Sequence, residues 1–271
     1  MKTPISYYGG KQTMLKHIEP LIPTHSVYTE AFCGGAALYW AKKPADLEVL
    51  NDINGNLINF YTVLKCRFNE LKERIETTLH SRDMFDFASI VYDYPNFFDP
   101  VTRAWALWAK SKMGFASMLD GTFGYDKTTN STCKKIDNSK QEFTIALQRR
   151  IERTQIECAN ALHVISSRDC TEAFHFIDPP YINSDCGHYT DTFNLMNFEE
   201  LLTLCGTLEG KFMLTMFPHD VLQEYIDRFG WRLVEVERTI SVSTVNRRKQ
   251  AEWIVMNYDA PTVGNYTLSF Q

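Results

Sequence analysis

The strongest constraint on the fold is a run of short apolar segments, each ending in a polar turn and followed by a helix-compatible stretch. Val27 to Ala31 reads as a strand that enters Phe32-Cys33-Gly34-Gly35-Ala36-Ala37, whose glycines precede a helical stretch from Leu38 to Lys42. After Lys43-Pro44 a second strand, Leu47 to Leu50, ends in Asn51-Asp52. The pattern resumes with His163-Val164-Ile165, then with Ala173 to Ile177 before Asp178, a helix containing Phe198 to Leu208, and Lys211 to Met216. Strands alternating with helices predict an α/β fold with a parallel sheet. Trp231 to Glu237 and Trp253 to Tyr258 flank a basic loop and predict a closing hairpin.

Between these two blocks the text changes. Leu57, Phe60, Tyr61, Leu64, Phe68, Leu71 and Ile75 recur at three- and four-residue intervals, which predicts one long amphipathic helix. From about Arg82 to Arg153 come aromatic-rich helical pieces, Val101 to Met113 among them, and a loop from Leu119 to Asn138 rich in Gly, Thr, Asn, Asp and Lys. Residues 57-153 therefore read as an inserted, mainly helical domain, and residues 1-56 and 154-271 as the α/β domain.

A chain of 271 residues with 44% hydrophobic residues has room for one large core or for a core with such an insertion. No apolar run approaches the roughly 18 residues of a membrane span, and the start lacks a signal-peptide pattern, so a cytoplasmic protein without membrane contact is expected. Seven scattered cysteines with no C-x-x-C pair suggest neither a disulfide framework nor a metal site. The net charge of -5 means that any nucleic-acid contact must use a local basic patch. Two runs qualify: Lys127 to Arg153, and Arg247-Arg248-Lys249.

Three polar positions fall at strand ends, where open α/β sheets bind ligands. Asp52 stands 18 residues beyond Gly34 at the end of the second strand, where a carboxylate can accept both hydroxyls of a ribose. The glycine turn lacks the third glycine of a dinucleotide fingerprint, and Gly10-Lys11 lacks the Ser/Thr and first glycine of a P-loop. An adenosine ligand without phosphates fits this pattern, and S-adenosylmethionine is one. At the third position stands Asp178-Pro179-Pro180-Tyr181. Two prolines fix φ twice and leave carbonyls free to accept. With the Asp178 carboxylate and the flat Tyr181 ring, they can hold an exocyclic amine by two N–H bonds while its ring is stacked. By its chemistry alone this is an amino-purine or amino-pyrimidine pocket.

With these residues in place, the chain resembles the DNA adenine methylase (Dam-like, D12 class) family of N6-adenine methyltransferases. The resemblance rests on Tyr7-Tyr8-Gly9-Gly10-Lys11, Phe32-Cys33-Gly34-Gly35, Asn51-Asp52-Ile53-Asn54, Ile177 to Tyr181, and Arg238-Thr239-Ile240-Ser241 through Arg247-Arg248-Lys249, in the family's order. It implies a Rossmann-like methyltransferase sheet with a helical target-recognition domain inserted, and S-adenosylmethionine as methyl donor. Tyr7, Lys11, Phe32, Gly34 and Asp52 would bind the donor, with Asp178 touching both donor and target amine. Asp178, Pro179, Pro180 and Tyr181 would form the reaction centre for an adenine flipped out of double-stranded DNA. Lys127, on the Gly121 to Lys127 loop, and Arg247, Arg248 and Lys249 would contact the DNA. A prokaryotic or viral setting follows, with a cognate restriction endonuclease open as a partner. RNA adenine or cytosine N4 as acceptor, or a catalytically silent DNA-binding relative, are the alternatives. The glycine motif reads Phe-Cys-Gly-Gly-Ala rather than Phe-x-Gly-x-Gly, and the insert matches members with known targets too loosely to transfer base contacts.

Overall fold

The computed structural model describes residues 1–7, 9–182, 193–241 and 247–261. Its strands are β1 Val27–Glu30, β2 Leu47–Asn51, β3 Gln155–Glu157, β4 Ala173–Ile177, β5 Lys211–Met216, β6 Arg232–Ser241 and β7 Arg247–Met256. They make one seven-stranded sheet in the order β3-β2-β1-β4-β5-β7-β6. The run 3-2-1-4-5 is the doubly wound order of Rossmann-like sheets. β2 pairs parallel with β3, β1 with β4 and β4 with β5, whereas β7 runs antiparallel to β5 and β6. The predicted α/β class and closing hairpin are both present.

The chain divides into two compact units. The first comprises Met1–Leu15, Cys33–Pro44 and Glu48–Ala159. Its helices are α2 Ala37–Ala41, α3 Gly55–Cys66, α4 Phe68–Glu76, α5 Arg82–Asp93, α6 Pro100–Met113, α7 Ser131–Glu142 and α8 Ile145–Ile151; a short α1, Leu15–Ile18, falls at the boundary with the second unit. Helix α6 starts at Asp99, whose carboxylate accepts from the amides of Val101 and Thr102, with Pro100 in the first turn. From Val101 to Met113 every residue but Arg103 is buried, so α6 is the central helix on which α3, α4 and α5 pack.

Three sequence expectations need correction here. The helix expected from Leu57 to Ile75 breaks at Arg67, where φ is -134° and ψ 41°. There the Arg67 guanidinium pairs with Glu70 in the first turn of α4, and Phe68 stacks flat on Phe143 at 5.4 Å. The loop expected through Asn138 ends at Asn130, because Asp126 accepts from the Thr132 amide at 2.7 Å and from the Ser131 and Thr132 hydroxyls, capping α7 from upstream. His163-Val164-Ile165 belongs to a helix, α9 Ala161–Ser167, started by the Asn160 side chain accepting from Leu162 and His163. The strand lies earlier, at β3.

The second unit comprises Lys16–Phe32, Ala45–Leu47 and Asn160–Gln271. Here α10 Leu195–Cys205 begins with a reciprocal cap between Asn194 and Asn197, and α11 Asp220–Phe229 ends at Gly230, whose φ of 68° suits glycine. Strand β4 is buried at all five positions, as a central parallel strand must be. Ile165, Ile177, Phe198, Phe212, Leu214 and Val255 form the centre of its apolar core, with Tyr181 packed against them. The register Val27↔Ala173 to Glu30↔Phe176 carries β4 past the end of β1, so Asp178 follows directly from the core.

Among the described residues no helix is long and apolar enough to cross a membrane.

Candidate active site

In the first unit the glycine turn, the end of β2 and the chain's start converge. Gly34 has φ of 46°, and a Cβ there would stand 3.1 Å from the Tyr7 ring. A Cβ on Gly35 would meet the Tyr7 Cβ at 3.2 Å, so both glycines let the backbone lie against this aromatic. The amide of Gly34 donates to Asp52 Oδ2 at 3.0 Å, and the amide of Asn54 donates to Asp52 Oδ1 at 2.9 Å. Asn54 in turn caps α3 through its side-chain oxygen and donates Nδ2 to Tyr92 at 3.1 Å and to the Tyr7 hydroxyl at 3.4 Å. Tyr61 donates to the Gly34 carbonyl at 2.8 Å. Lys11 is buried, with Nζ donating to the Gly9 carbonyl at 3.0 Å.

Burial raises the Asp52 pKa above the usual carboxylate value, against the amides of Asn54, Gly34 and Ile53, which favour the charged form. An ionised carboxylate offers about four acceptor positions. The amides take up part of that capacity, and acceptor positions remain that suit a vicinal diol.

In the second unit the end of β4 meets the end of β5 and the middle of β7. Thr215 on β5, fully buried, donates its hydroxyl to Asp178 Oδ1 at 2.7 Å. The Tyr181 hydroxyl donates to Glu252 Oε1 at 2.7 Å, and Glu252 on β7 has no exposed surface. The Tyr181 ring sits 4.4 Å from Phe217, edge to face at 76°. Burial, joined by the charges of Asp178 and Glu252, holds the Tyr181 phenol well above its ordinary pKa, so Tyr181 stays a neutral donor. Pro179 and Pro180, with no amide hydrogens, hold the chain between the two anchored side chains.

Phe32 belongs to this unit, where its ring meets Phe193 edge-on at 5.7 Å on the rim of the apolar core. Thus Tyr7, Gly34 and Asp52 form one hydrogen-bonded and packed group with Asn54, and Asp178 and Tyr181 each gain a side-chain partner. Thr215 and Glu252 lie on other strands and Phe217 directly after one, so no local sequence pattern ties them to the tetrad. One signal was available for Glu252: it is a carboxylate directly before the apolar run Trp253 to Met256.

The basic positions differ among themselves. Lys127 is exposed on its loop. Arg247, Arg248 and Lys249 have backbone in β7, but their side chains lie outside the described residues, as does Tyr8. Arg150, counted in the Lys127 to Arg153 run, turns inward: it pairs with the buried Glu48 and lies 3.8 Å over the Tyr39 ring. Lys42 also donates to Glu48, at 2.7 Å. Burial alone would raise the Glu48 pKa; Arg150 and Lys42 together lower it. Among the described residues no cluster of His, Cys, Asp and Glu could hold a metal ion.

The family model described as D12 class N6 adenine-specific DNA methyltransferase matches residues 7–240, a span holding Tyr7, Lys11, Gly34, Asp52 and the Asp178 to Tyr181 tetrad. A Type II methyltransferase of Lactococcus lactis subsp. cremoris is 26% identical over 273 residues, covering 92% of this chain and 93% of its own. The DNA adenine methylase of Escherichia coli (strain K12) is 21% identical over 284 residues, covering 93% of this chain and 94% of its own.

Proposed function

The chain belongs to the D12 class of N6 adenine-specific DNA methyltransferases, and from that premise we propose that Tyr7, Lys11, Phe32, Gly34 and Asp52 hold S-adenosylmethionine while Asp178, Pro179, Pro180 and Tyr181 hold the amine of a flipped-out adenine. When bound, the sulfonium cofactor supplies an electrophilic methyl group. The residues fit it: a Cβ on Gly34 would fill the approach to Tyr7, and the half-buried Asp52 presents a carboxylate suited to ribose hydroxyls.

The observation that carries this reading is the anchored tetrad, with Asp178 held by Thr215 and Tyr181 held by Glu252. The adenine amine is a weak nucleophile because its lone pair is delocalised into the ring. Asp178 and a tetrad carbonyl, each accepting one amine hydrogen, favour the pyramidal form and free the lone pair. As the nitrogen gains positive charge, the Asp178 carboxylate stabilises it, and the leaving proton is already held in that hydrogen bond. Tyr181 supplies a face for the extruded base, recovering part of the stacking lost from the duplex. Alignment and fixed charge provide the acceleration, so no cysteine acts as a nucleophile.

Residues 57-153 form the target-recognition domain in this reading. Lys127 and the Gly121 to Lys127 loop approach the duplex, and Arg247, Arg248 and Lys249 contact phosphates. The test is methyl transfer from methyl-labelled S-adenosylmethionine to unmethylated duplex DNA, followed by nucleoside analysis. Label in N6-methyladenine is expected; label in N4-methylcytosine, transfer to RNA alone, or no transfer would overturn the proposal.

A further inference from the structure

Strand β7 carries a feature that its packing does not need. Glu252 shares a strand face with Ile254 and Met256, both buried, and is itself without exposed surface. A carboxylate at such a position is costly unless hydrogen bonds satisfy it. The register brings β7 to this point: Trp253 pairs with Met216, so Glu252 arrives beside the residue that follows β5, Phe217. Glu252 therefore grips the Tyr181 hydroxyl at 2.7 Å, while Phe217 bears on the ring of the same residue at 4.4 Å. An aromatic side chain has two torsions, and contacts at the tip and at the ring edge fix both.

We propose that Glu252 is a positioning residue, which locks the plane of the Tyr181 ring so that the target adenine stacks with its amine at Asp178. This rests on reading the tetrad as the methyl-transfer pocket. Glu252 touches neither donor nor base; it acts through Tyr181. Its removal takes away the acceptor that holds the ring's tip at 2.7 Å, and a small misplacement of the stacked base is costly in rate. A neutral acceptor of the same shape restores the grip.

The experiment compares wild type with E252A, E252Q, Y181F and the Y181F/E252A double variant. It measures kcat and KM on unmethylated genomic DNA, and S-adenosylmethionine affinity by calorimetry. Expected for E252A is a kcat loss of about 10- to 100-fold with donor affinity unchanged within about twofold. E252Q should stay within about threefold of wild type, since its amide oxygen accepts from Tyr181. The double variant should fall no further than the weaker single variant, because both changes remove one interaction. Where E252A does not fold, Glu252→Leu keeps the volume, removes the acceptor and should show the same loss. Wild-type kcat in E252A or E252L, an E252Q as impaired as E252A, or multiplying losses in the double variant would overturn the assignment of Glu252. A wild-type protein that forms no N6-methyladenine would instead overturn the reading of the tetrad.

Discussion

Asp52 and Asp178 both follow the carboxyl end of a buried strand, yet they are held in opposite ways. Asp52 is held by backbone, receiving the amides of Gly34 and Asn54, so its orientation follows from two turns close in sequence. Asp178 is held by a side chain, the Thr215 hydroxyl on β5, and its neighbour Tyr181 by another, Glu252 on β7. A backbone-held carboxylate tolerates most changes around it but fails if the turn changes. A side-chain-held carboxylate can be retuned by one distant substitution. The contrast suits a protein whose donor is constant and whose acceptor geometry must be exact to a fraction of an ångström.

On the Asp52 side, the comparison predicts an effect on donor binding. Asp52→Asn keeps the shape and one acceptor oxygen but loses the charge and the second acceptor, and S-adenosylmethionine affinity measured by calorimetry should fall about 10- to 100-fold, as for loss of one hydrogen bond to a charged group. Equal affinity in wild type and variant would remove Asp52 from the donor site.

Next comes Thr215→Val, which is isosteric and deletes the hydroxyl that donates to Asp178 Oδ1. A kcat loss of about 10-fold with unchanged donor affinity is expected, since the carboxylate keeps its charge and loses its orientation. A change in donor affinity with kcat intact would contradict the separation of the two carboxylates.

The smallest effect is on pH dependence. Burial raises the Asp52 pKa, and in the proposed donor site the ionised form is the one that accepts ribose hydroxyls. Donor affinity should therefore be full above that raised value and decline several-fold as pH falls through it, starting at higher pH than for an exposed carboxylate; Asp52→Asn should flatten the profile. The sign for stability is the reverse. With the folded value above the unfolded one, Asp52 favours the fold below its unfolded pKa, and that contribution is lost as pH rises through the folded value.

The same contrast explains what was legible in the amino-acid sequence. The Gly34 turn, Asp52 and the Asp178 to Tyr181 tetrad are local, each a strand end with its turn, and they could be read from spacing. Thr215 and Glu252 lie 37 and 71 residues from the tetrad side chains they hold. Only the order and register of β4, β5 and β7 bring them there, and no local pattern encodes that. Helix α7 shows the same limit on a smaller scale: its cap comes from Asp126, not from the residue directly before it. Arg150 reads as surface charge until Glu48, 102 residues earlier, is placed beside it.

Single-turnover methyl transfer to duplex DNA at rising S-adenosylmethionine concentration, run on wild type, Asp52→Asn and Asp178→Ala, tests the division of labour most directly. Saturating donor should bring Asp52→Asn to within a few-fold of the wild-type rate and leave Asp178→Ala on the order of 1000-fold slower or below detection. Recovery of Asp178→Ala at high donor, or failure of Asp52→Asn to recover, would contradict it.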